Sequence, residues 1–144
     1  MGVHQFFNTY LKETLIETVP VNYLGAPQIA PSLYIKREDR IHPFVSGNKY
    51  RKLKYNLITA HQQKHTKLLT FGGAYSNHLL ATACAAAKFG FKSTGIVRGE
   101  EVQNDLLMFC ALFGMELIFV KRDRYRDKWG LFQHYFGSNA HAFF

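Results

Sequence analysis

Hydrophobic and polar positions along this chain follow two rhythms, one helical and one extended, punctuated by glycines. After Pro31, Leu33-Tyr34-Ile35-Lys36-Arg37 predicts a short strand, and polar, turn-prone residues then run to Gly47. From Lys49 onward, Tyr50, Leu53, Leu57 and Ala60 recur at helical spacing and predict a helix to about Lys64. Lys67-Leu68-Leu69-Thr70-Phe71 predicts a buried strand, broken by Gly72-Gly73. An alanine-rich helix over 79–89 is stopped by Gly90, and a strand over 91–97 is closed by Gly99. Asn104 or Asp105 caps a helix through Phe113, with Gly114 as its stop, and Met115–Val120 is the next strand. A weaker helix covers 125–135, and 140–144 opens a further apolar run. Strand and helix in alternation imply right-handed crossovers and an α/β fold, a parallel sheet with helices on both faces.

Composition narrows the picture. The chain has 144 residues, enough for one compact domain, and 47% of them are hydrophobic, which permits a proper core. Residues 1–18 mix aromatic, polar and charged side chains and do not read as a signal peptide. No apolar run approaches the roughly 20 residues that cross a bilayer. Cys84 and Cys110 sit far apart within apolar helical patterns and read as buried thiols, and the seven histidines lack metal-ligand spacing. The expectation is a cytoplasmic protein with neither a metal site nor a membrane partner. The net charge of +8 raises nucleic-acid binding. Its basic residues cluster in 49–54 and 121–128, the second group mixed with acidic residues, and no nucleic-acid motif accompanies them. Nucleic acid is therefore the weaker reading.

Two segments carry candidate chemistry. In Ser46-Gly47-Asn48-Lys49-Tyr50-Arg51-Lys52-Leu53, Lys49 falls in the first turn of a predicted helix, with Ser46 or Asn48 as its cap. The helix dipole and the like charges of Arg51, Lys52 and Lys54 disfavour a cation there. That favours the neutral amine a lysine nucleophile needs, although a solvated basic helix face would show the same residues. Arg51 and Lys52 are also candidate anion ligands. In Thr70-Phe71-Gly72-Gly73-Ala74-Tyr75-Ser76-Asn77-His78-Leu79, a strand, a glycine pair and a helix start expose backbone N–H groups where ligands of parallel sheets bind. Ser76 and Asn77 serve equally well as plain helix caps. The glycines match neither a dinucleotide fingerprint nor a phosphate loop, and Ser76 is in no nucleophile elbow. Lys36-Arg37-Glu38-Asp39 follows a strand and could line a cleft, although it reads more readily as a solvated strand end, and Arg98-Gly99-Glu100-Glu101 reads as a surface loop.

Taken together, Ile35-Lys36-Arg37-Glu38-Asp39, Ser46 to Leu53, and Phe71-Gly72-Gly73-Ala74-Tyr75-Ser76-Asn77-His78 resemble one family. It is the pyridoxal phosphate (PLP)-dependent group of 1-aminocyclopropane-1-carboxylate deaminase and D-cysteine desulfhydrase, with the tryptophan synthase β-like fold. The resemblance runs from about Ser32 to Val120. It implies that Lys49 is the Schiff-base lysine and that Asn77 bonds the cofactor's 3-hydroxyl. Ser76, with the N–H groups of Asn77 and His78, then takes the substrate carboxylate, and Ser76 assists catalysis. The substrate would be a small amino acid, and the full-length enzyme a homodimer. Residues 1–144 correspond to the N-terminal part of such an enzyme, with 47–135 as its small α/β domain.

The family's phosphate-binding loop comes after the point where this chain stops, and Gly137-Ser138-Asn139 does not look like that loop. The expectation is a truncated deaminase or lyase, weakly active or inactive alone. A non-catalytic α/β module that binds anions or nucleic acid through its basic surface is the alternative, and a degenerate gene fragment a third reading.

Overall fold

The computed structural model describes residues 1–12, 15–19, 33–137 and 142–143. Three of the expected strands form a continuous parallel sheet: β3 (Lys67–Gly73), β4 (Lys92–Arg98) and β5 (Met115–Val120). With β6 (Ala142–Phe143) they stand in the order β5-β4-β3-β6. β3 pairs with β4 from Lys67↔Lys92 to Gly73↔Arg98, so both strands end together at one edge. Thus Gly72-Gly73, expected as the break after the strand, is its last hydrogen-bonded stretch.

The crossovers are α3 (Asn77–Phe89), between β3 and β4, and α4 (Asp105–Leu112), between β4 and β5; α2 (Gly47–Gln62) precedes β3. Alternation along the strands sends neighbouring side chains to opposite faces. Leu68 joins a cluster with Tyr50, Leu53, Leu57 and Ala85 beneath α2 and α3. Leu69 joins Ile96, Val120, Leu131 and Phe136 beneath α5 (Lys128–Phe136) on the other face. Val97 packs with Leu79, Ala83, Leu107 and Cys110, between the sheet and α3 and α4. The α/β layering with helices on both faces is as expected, and both cysteines are buried thiols.

Two elements come from outside the parallel pattern. The strand expected at 33–37 is present as β2 (Leu33–Lys36), but it pairs antiparallel with β1 (Ile16–Val19) in a separate two-stranded sheet. A helix, α1 (Val3–Lys12), precedes them and buries Val3, Phe6 and Phe7 against α2. Tyr50 is fully buried there, and its hydroxyl donates to the Phe7 carbonyl at 2.6 Å. Ser32, Ser138 and Asn139, on which parts of the sequence reading fell, lie outside the described residues.

Candidate active site

The start of α2 is set by Ser46, in extended conformation, and by Gly47 at φ +54°, a left-handed value that favours glycine. Lys49 therefore sits in the first turn, half-buried, and its Nζ donates to Asn48 Oδ1 at 3.0 Å. The surrounding charge is less uniform than the sequence implies. Arg51 donates from Nε to both Glu38 carboxylate oxygens at 2.9 Å and from Nη2 to Oε1. The Arg51 guanidinium holds the Glu38 carboxyl below the usual carboxylate range, more strongly than partial burial raises it. Arg37 likewise binds Asp39 and Glu17, and Arg40 reaches Glu17 at 3.0 Å. The segment after β2, which reads more readily as a solvated strand end, is an ion-paired brace against α2.

The start of α3 is set by a close approach. An ideal Cβ on Gly72 would stand 2.8 Å from Ser76 Cβ and 2.7 Å from Leu79 Cγ, so only glycine lets the Gly73–Ser76 turn fold back onto the strand. Ser76 N donates to the Gly73 carbonyl at 3.0 Å and closes that turn. Ser76 is the N-cap residue, yet its side chain makes no capping hydrogen bond. The plain-cap reading thus fails for this serine, whereas the Asn104 side chain does accept from Leu107 N at 2.9 Å. The N–H groups of Asn77 and His78 lie in the first turn, with no carbonyl ahead of them within the helix.

Lys49 and Asn77 line one cleft of about 350 Å³, with Asp39, Phe44, Asn48 and Leu80 among its walls. Ser76 lines a neighbouring cleft with Tyr75, Arg98 and Arg122. His78 lines a third, of about 260 Å³, with Leu53, Leu57 and Thr82. Successive residues of a helix diverge by about 100° around its axis, which separates the three side chains. Their backbone N–H groups still point together toward the helix start. The His78 imidazole is pushed below its ordinary value by burial and then by the charges of Lys49 and Lys52. Among the described residues its buried Nδ1 has no hydrogen-bond partner. Asp39 belongs to a segment that could line a cleft by sequence, and it does; Arg98 was read as part of a surface loop, and Phe44, Leu80 and Arg122 were not singled out, because only the fold brings them to these clefts.

No family model matches the chain. It is 35% identical over 113 residues to a Thermotoga maritima protein that carries the provisional name 1-aminocyclopropane-1-carboxylate deaminase, covering 76% of this chain and 36% of that protein. It is 30% identical over 111 residues to D-cysteine desulfhydrase of Salmonella paratyphi B, covering 74% of this chain and 34% of the relative. The crystal structure of an ACC deaminase homologue superposes with a TM-score of 0.73 at 23% identity, covering 95% of this chain and 46% of that one. An O-acetylserine dependent cystathionine β-synthase from Helicobacter pylori gives 0.69 at 14% identity, covering 99% and 45%. The likeness to these structures shows the fold, part of the tryptophan synthase β-like architecture. None of these comparisons supports a non-catalytic nucleic-acid module. The chain spans about a third of the length of the curated relatives it matches, and it is a relative of the 1-aminocyclopropane-1-carboxylate deaminase and D-cysteine desulfhydrase family.

Proposed function

We propose that this chain supplies the lysine-bearing part of a PLP-dependent deaminase or lyase acting on a small amino acid. The observation that carries the reading is that Lys49 and Asn77, from the first turns of two different helices, line one cleft. The residues present suit the aldehyde end of PLP. An amine stands in the cleft to hold the aldehyde, and an amide beside it can donate to the phenolic oxygen. When bound, PLP supplies an electron sink for bonds at the substrate's α-carbon.

The rest is the work of this chain's own groups. Lys49 Nζ would hold the aldehyde and, when free, would move a proton at the substrate. The Ser76 hydroxyl, not used in capping, and the first N–H groups of α3 bind the substrate carboxylate at the positive end of the helix dipole. Phe44 and Leu80 line the cleft with apolar surface and limit water around the lysine. Uptake of one water, with release of ammonia, a 2-oxo acid and any side-chain group eliminated, completes the proposed reaction.

Absorption spectroscopy of the chain mixed with PLP tests the reading. The visible band of lysine-bound PLP is expected with wild type and with Lys92→Ala, whose lysine is exposed at the start of β4. It is expected to vanish with Lys49→Ala. An equal band in all three proteins would remove Lys49 from the proposal.

A further inference from the structure

The cleft that Ser76 lines has a second wall that the proposed reaction does not use. Gly73, Tyr75 and Ser76 form one side, Arg98 and Glu100 the other, and Arg122 closes it around a volume of about 550 Å³. The sheet places these groups. Gly73 and Arg98 are partners on the last rung of the β3–β4 ladder, and Arg98 is partnered with Val120 at the end of β5. Gly99 N donates to the Val120 carbonyl at 2.9 Å and holds the turn after β4 against the end of β5. Two guanidinium side chains therefore come from the same edge of adjacent parallel strands, the carboxyl edge at which open α/β sheets bind ligands.

Arg37, Arg40 and Arg51 are each ion-paired with a carboxylate of this chain. Among the described residues Arg98 and Arg122 form no ion pair, although Glu100 lines the same cleft. Among the described residues Arg124 and Arg126 also form no ion pair, so what sets Arg98 and Arg122 apart is that both line this one cleft. The Arg98 guanidinium carbon lies 6.0 Å from the Tyr125 ring centroid. A planar guanidinium offers two parallel N–H donors to a carboxylate or phosphate, so paired arginines in a concave site favour a small oxyanion.

We propose that this cleft is an anion-binding subsite that takes a carboxylate or phosphate group between Arg98 and Arg122. The subsite stands on its own geometry and does not depend on the role proposed for Lys49.

Amide chemical-shift titration of the chain at fixed ionic strength tests it, with inorganic phosphate and succinate as separate probes. Saturable shifts are expected at Arg98, Gly99, Glu100 and Arg122, and the probe that saturates at lower concentration identifies the preferred oxyanion. Arg98→Gln and Arg122→Gln should each weaken binding by up to about fivefold, the contribution of an exposed ion pair. Glu100→Gln, which removes a like charge, should tighten it. Lys92→Gln, at the far end of β4, should leave it unchanged. If Arg98→Gln loses the native spectrum, Arg98→Lys replaces it; that variant keeps the charge but not the fork, and is also expected to weaken binding. The proposal is overturned if neither probe gives saturable shifts or if the shifts map to the first turn of α2. Equal affinity in wild type and the arginine variants would overturn it as well.

Discussion

Gly72→Ala should damage this fold where Gly73→Ala, one residue later, should not. The new Cβ at position 72 meets Leu79 Cγ at 2.7 Å, Ser76 Cβ at 2.8 Å and Ser76 Oγ at 2.9 Å. Leu79 is fully buried, and a Cβ is fixed to its backbone, so neither can swing aside. Relieving such overpacking costs about 1–3 kcal/mol. Gly72 has no left-handed φ, so the alanine also restricts the unfolded chain and returns about 0.4–1 kcal/mol. The net loss is on the order of 1–2 kcal/mol, or roughly 2–8 °C in melting temperature for a domain near this size. A Cβ at position 73 meets nothing within 4 Å, so Gly73→Ala keeps only the favourable part and should melt at or slightly above wild type. Thermal unfolding followed by circular dichroism separates the two. Equal melting temperatures for the two variants would refute the close-approach argument, and with it the account of how Ser76 is positioned.

Other consequences concern charge and access. Glu38 is held below the ordinary carboxylate range by Arg51, so its contribution is present above the unfolded value of about 4.3 and is lost as pH falls through the lower folded value. Glu38→Gln should thus cost up to about 1 kcal/mol in urea unfolding at pH 7 and almost nothing at pH 3, the pair being screened by water around the exposed Arg51. A constant difference at both pH values would contradict this. His42 is pushed below its ordinary value by burial and then by Lys88, and its Nδ1 accepts from Phe44 N and Val45 N at 3.2 Å. The unfolded chain takes up that proton first, so stability should fall as pH drops below about 6.5, and His42→Gln should flatten that slope. Burial pushes the Cys110 thiol up to about 11. Native protein at pH 8 should resist thiol-specific labelling at Cys110, whereas denatured protein reacts at once; rapid native labelling would show an open core.

Residues 67–120 were readable because each element carries a strong rhythm and ends at glycine or a capping residue. The first helix was not, because burial of Phe6 and Phe7 depends on Tyr50, 44 and 43 positions away. Nor was β1, four residues long, whose pairing with β2 spans a long stretch of chain. At the site, the sequence pointed to Lys49, Ser76, Asn77 and His78 through motif and helix position. It could not show that Lys49 and Asn77 share a cleft, which needs the starts of α2 and α3 side by side. The basic run after Lys49 suggested uncompensated repulsion; the Glu38 carboxylate that meets Arg51 comes from the turn after β2. Whether Ser76 is only a cap was undecidable from residue type and was decided by its side-chain geometry.

The central claim is that Lys49 holds the cofactor. Incubation with PLP, reduction with borohydride and peptide mapping by mass spectrometry test it directly, since reduction fixes the cofactor to whichever amine holds it. The expected result is a phosphopyridoxyl group chiefly on the peptide containing Lys49, and its loss in Lys49→Ala. Label distributed over the exposed lysines, with the same total in Lys49→Ala, would contradict it.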